Sequence, residues 1–151
     1  MSNAGTVLDL LERAREGLVQ ACHAESFAER YTQSHLSALR AAAAVIAAHN
    51  NIPGQSRKQS GPRSVWEVLP AIAPELTEWA VFYAASARRR GALMRGEASV
   101  SPREADDLTR QSEAFLEAVR GMLHLPIAPP VSSDLAVVSR ALTARAVPAH
   151  G

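Results

Sequence analysis

The sequence is poor in cysteine, aromatic rings, lysine and net charge, and each shortage narrows what the protein can be. Cys22 is the single cysteine among 151 residues, so no disulfide can form within the chain and a reducing, cytoplasmic setting is expected. Aromatic residues make up only 5%, and runs of Val, Ile, Thr and aromatics that would mark strands are missing. That argues against a sandwich or barrel and leaves close-packed helices, which the abundant alanine suits. No apolar run approaches the ~20 residues needed to cross a bilayer, and no basic stretch followed by an apolar one opens the chain. Neither a membrane partner nor a secretory signal is therefore expected. The net charge is only +1, so any polyanion binding needs a local patch. Of the 16 basic residues only Lys58 is a lysine. Arginine favours bidentate phosphate contacts, although a high-GC coding sequence produces the same bias.

What is present is helical periodicity. Residues 1–5 are expected to be a flexible N-terminus or cloning remnant outside the fold, and residues 6–125 one bundle. The first helix is expected from Thr6, its N-cap, to Cys22, with Val7, Leu10, Leu11, Leu18 and Cys22 on one stripe. The second runs from Glu25 to His49 with a wide apolar arc: Phe27, Tyr31, Ala38, Ala42 and Val45 on one face, Leu36, Leu39, Ala43 and Ile46 beside it. Its small residues Ala41 to Ala44, with Val45 and Ile46, read as a helix-pairing surface. "SVWE" gives Ser64 as N-cap and Glu67 at the third helical position of a short helix to Ala73. Pro74 opens the next helix, which ends at Gly96. That helix is apolar nearly all round, which predicts a central position. "SPREADDL" is the clearest start signal, with Ser101 as N-cap, Pro102 first and Glu104 closing a capping box. Ala105, Leu108, Phe115, Val119 and Met122 then form the buried stripe.

Two stretches interrupt this pattern. "HNNIPGQSRKQSGPR", residues 49–63, has no periodicity and reads as a mobile loop. After Leu125, Pro126, Pro129 and Pro130 break regular structure, and residues 126–151 form a tail with a short helix expected at 133–145. Four long helices and one short one predict an all-α, antiparallel up-and-down bundle.

Few residues carry recognisable chemistry. Cys22 and His23 stand alone without the spacing of a metal site. Glu75 and Glu78 lie one turn apart as ordinary residues of a helix's first turn. No Gly-rich phosphate loop or Ser–His–Asp arrangement occurs, so no cofactor and no metal are expected. Trp66, Trp79, Phe82 and Tyr83 read as core. Arg88, Arg89, Arg90 and Arg95, with Arg57, Lys58 and Arg63 from the loop, form the densest positive charge. They are the candidates for binding nucleic acid or an acidic partner, although consecutive residues fan out around a helix and no aromatic is interleaved to stack bases.

The blocks "AERYTQSHLSALRAAAAVIA", "SVWEVLPAIAPELTEWAVFYAASARRR" and "VSPREADDLTRQSEAFLEAV" resemble a family of small, all-helical actinobacterial proteins classed with the HEPN domains. The resemblance implies a HEPN-like bundle, commonly a symmetric homodimer, in a superfamily many of whose members bind RNA or nucleotides. A subset of such proteins are metal-independent ribonucleases. These use an Arg, four to six intervening residues and a His, a base or acid beside a charge-stabilising cation. Arg30 and His35 in "RYTQSH" have that spacing and are the candidate catalytic pair. In that family a polar residue usually follows the Arg directly and the motif usually lies in a late helix, so the pair departs in two ways: Tyr31 follows the arginine, and the pair falls in the second helix. Arg120 and His124, "RGMLH", sit in the late helix with only three residues between them. On a helix Arg30 and His35 lie about 140° apart, so the bland reading makes one a surface cation and the other a packed histidine. The leading expectation is a non-catalytic, homodimeric module that binds a protein or RNA. A ribonuclease using an Arg/His pair and a nucleic-acid accessory protein using the arginine patch are the alternatives.

Overall fold

The computed structural model describes residues 3–49 and 64–125. Among them are five α-helices and no strand: α1 (Asn3–Cys22), α2 (Phe27–His49), α3 (Val65–Ile72), α4 (Thr77–Met94) and α5 (Pro102–Met122), with a 3-10 turn at Pro74–Leu76 before α4. The expected all-α bundle of four long helices and one short one is what forms. Arg57, Lys58 and Arg63 of the expected loop, and the tail helix expected at 133–145, lie outside the described residues.

The capping chemistry explains most of the boundaries. Ser64 Oγ accepts from Glu67 N and Ser101 Oγ from Glu104 N, as the two start signals predict. α2 begins two residues later than expected because Ser26 caps it, its hydroxyl accepting from Glu29 N at 3.0 Å. The helix dipole and the free first-turn N–H groups make that serine the natural starting point. α1 begins at Asn3, so Thr6 lies inside the first helix and is not its cap. α4 ends as expected at Gly96, whose φ of 72° lets Gly96 N reach Leu93 O and Glu97 N reach Ala92 O. α5 closes with the same pair of bonds, His124 N to Gly121 O and Leu125 N to Arg120 O. There His124 takes the left-handed position (φ 57°) that glycine usually fills.

The core corrects the expected layout. The central element is α2, which packs on α1, α3, α4 and α5. Ala38, Ala41, Ala42, Ala44 and Val45 are all fully buried, because short side chains let several helices approach one rod. The alanine surface that reads as a pairing face is therefore consumed within the chain. α1 comes so close to α2 at Gly17 that an added Cβ there would lie 2.3 Å from Ser37 Oγ. By contrast α4 is peripheral. Val81 is 66% and Phe82 42% exposed, so its all-round apolar character reflects an outer face as well as an inner one.

Candidate functional site

Arg30 and His35 leave α2 in different directions, and each is engaged with other helices. Arg30 Nε donates to the carbonyl of Ala21 at 3.0 Å, and Nη2 donates to that of Cys22 at 3.3 Å. Its Nη1 pairs with Asp106 on α5, and the Phe27 ring lies 5.7 Å beneath the guanidinium. The side chain thus satisfies carbonyls at the C-terminus of α1 while tying α1, α2 and α5 together.

His35 is 1% exposed. Its Nδ1 is hydrogen-bonded to Ser86 Oγ of α4 at 2.9 Å. Its ring meets Trp66 and Tyr83 edge-on, with centroids 5.9 and 6.0 Å away. Trp66 in turn stacks on Tyr83 at 4.8 Å. Burial, reinforced by the nearby positive charge of Arg90, pushes His35 down to about 4. The imidazole is therefore neutral at pH 7, enclosed by rings and weakly basic, far from the near-neutral value a general base needs.

A seam of polar pairs joins the helices around it. Ser34 and Thr109 meet at 2.8 Å, and Tyr83 and Ser112 at 3.0 Å. Ser86 also bonds the Tyr31 phenol, whose pKa is raised chiefly by burial. These contacts satisfy hydroxyls that would otherwise be costly to bury. Arg120 and His124 stand apart from this seam, at the C-terminal end of α5.

The arginine run is spread around α4, as its helical position requires. Arg88 is exposed. Arg89 clasps Glu104 through Nε at 2.8 Å and Nη2 at 2.9 Å, and also reaches Ser99 O. That clasp lowers the pKa of Glu104, with help from the Ser101 N–H. Arg90 lies near enough for its charge to act on His35, and its Nε is buried without a hydrogen-bond partner. Arg95 pairs with Glu97 at 3.0 Å. No continuous cationic strip results from residues 88–95.

The surface feature that does bring chemistry together is a groove of about 680 Å³ between α4 and α5. Phe82 forms one wall and Tyr31 part of the floor, with Leu108 beside it. Arg103, Glu104, Asp107, Arg110 and Gln111 line the α5 side. Sequence reasoning missed this site because it assigned Phe82 to the core. The available signal was Glu78 and Arg88, which share the helical face of Val81, Phe82 and Ala85 and mark that face as solvent-exposed. Among the described residues no group of three or more His, Cys, Asp or Glu is placed to hold a metal ion. No helix among them is long and apolar enough to cross a membrane.

With fold and contacts in place, comparison with known proteins decides the family. The model of the HEPN-like family HEPN_SAV_6107 matches residues 21–120, which span α2 through nearly all of α5. The chain belongs to this HEPN-like family. The match takes in all three blocks that carry the resemblance, and it includes both walls of the groove and its Tyr31 floor. No curated protein and no solved structure matches the chain.

Proposed function

We propose that this HEPN-like domain is a non-catalytic binding module that engages a protein partner through its outer surface. The observation that carries this reading is the use of His35, which is sealed among Trp66, Tyr83 and Ser86. Arg30 is likewise committed to α1 and α5. The outer face instead offers exposed Val81 and Phe82 beside charges of both signs, the mixture typical of protein interfaces. Homodimerisation enters the proposal from the family resemblance. RNA enters as a second ligand class from the family resemblance.

Incubation with single-stranded and hairpin RNA in EDTA tests the non-catalytic reading. No cleavage is expected, and His35→Ala should cost about 2–4 kcal/mol of stability through the lost packing and the lost hydrogen bond to Ser86. Cleavage by the wild-type protein that disappears in a folded His35→Gln or Arg30→Gln variant would establish the ribonuclease instead.

A further inference from the structure

Resting on the protein-binding reading, we infer that the α4–α5 groove docks an amphipathic helix of a partner protein, one that presents acidic, basic and acidic side chains at one-turn spacing. α4 and α5 are consecutive in the chain, yet their backbones hardly approach one another. Long side chains bridge them instead: Tyr83 to Ser112, Trp79 to Phe115 and Arg89 to Glu104. The space left on the solvent side is the groove, and a channel between two helices is the shape into which a third helix packs.

Its lining specifies what that helix must carry. Leu108 is 3% exposed and closes the bottom, whereas Phe82 is 42% exposed and has little to cover it. An apolar ridge would bury that ring and the neighbouring Val81. Along α5 the open charges are Arg103, Asp107 and Arg110, positive, negative and positive at successive turns of one face. Glu104 is already taken by Arg89. Asp107 is shared between Arg103 at 4.0 Å and Arg110 at 3.4 Å, and all three side chains are more than half exposed. Such pairs are weak in water, so they exchange for a partner's charges at little cost. The complement is acid, base, acid at matching spacing. The same pattern disfavours a nucleic acid, because Asp107 sits between the two guanidinium groups and would face the phosphate row.

The test uses the full chain and three fluorescent probes. Two are synthetic helical peptides sharing one leucine ridge, the first with Glu, Lys, Glu at the facing positions and the second with Lys, Glu, Lys. The third is an oligouridylate. The first peptide should bind roughly tenfold tighter than the second, a difference of the size that charge complementarity supplies. The combined variant R103E, D107K and R110E should reverse that preference. Phe82→Ser should weaken both peptides while leaving the thermal melt unchanged. Equal binding of the two peptides, no binding, or displacement of the first peptide by oligouridylate would overturn the assignment. So would a fall in molecular mass on Phe82→Ser, which would make a second copy of this chain the occupant. Those failures leave the non-catalytic reading standing, since that reading falls only if the protein cleaves RNA.

Discussion

His35 is the residue whose environment most changes its chemistry. In an unfolded chain its imidazole titrates near 6.5, whereas in the fold burial holds it at about 4. Between these values the unfolded chain binds the extra proton, so stability rises with pH through that window. The contribution is fully present above pH 6.5, is lost as pH falls toward 4, and does not change further below that. From pH 7 to pH 5 the loss should be about 2 kcal/mol. Chemical denaturation at the two pH values measures the loss, and the NMR titration of the His35 ring identifies its source. A ring titrating near 6.5 would contradict the buried, neutral assignment. The residue itself was legible as a packed histidine from its position beside Tyr31 and Leu39. Its partners Ser86 and Trp66 were not, because they come from helices 51 and 31 positions further along the chain.

At the scale of elements, caps and stripes carried most of the information in the sequence. Ser64, Ser101 and Gly96 mark ends that the backbone obeys, because unsatisfied N–H and C=O groups at a helix terminus need local partners. The Ser26 hydroxyl sets the start of α2, which begins at Phe27 rather than Glu25. Arg30 shows what local reading misses. Its partners are two α1 carbonyls and an α5 carboxylate, so replacing it affects three helices at once. Arg30→Ala should destabilise the bundle by about 1–3 kcal/mol by removing its bonds to the carbonyls of Ala21 and Cys22 and its ion pair with Asp106. A urea melt measures this, and an unchanged midpoint would return Arg30 to the role of a free surface cation.

For the whole molecule, the order of packing was the hardest feature to foresee. Hydrophobicity pointed to α4 as the central helix, but alanine made α2 central, since helix axes approach most closely where side chains are small. Displaced to the edge, α4 keeps Val81 and Phe82 on its outer face, and the groove follows from that displacement. Light scattering on the purified chain tests the assembly proposed from the family. A mass twice the 16.1 kDa of one chain is expected, and a monomer would remove homodimerisation from the proposed function.

The sequence by itself determined that the chain is helical, where most of its helices end, and which side chains could fill a core. These are local properties, set by periodicity over a few turns and by hydrogen bonds within four residues of an end. Only the tertiary structure decided which helix lies at the centre, that Arg30 and His35 serve different contacts, and that Phe82 faces Arg103 and Arg110 across a groove. Those outcomes depend on distances between residues far apart in the chain, which are fixed when the helices pack against one another.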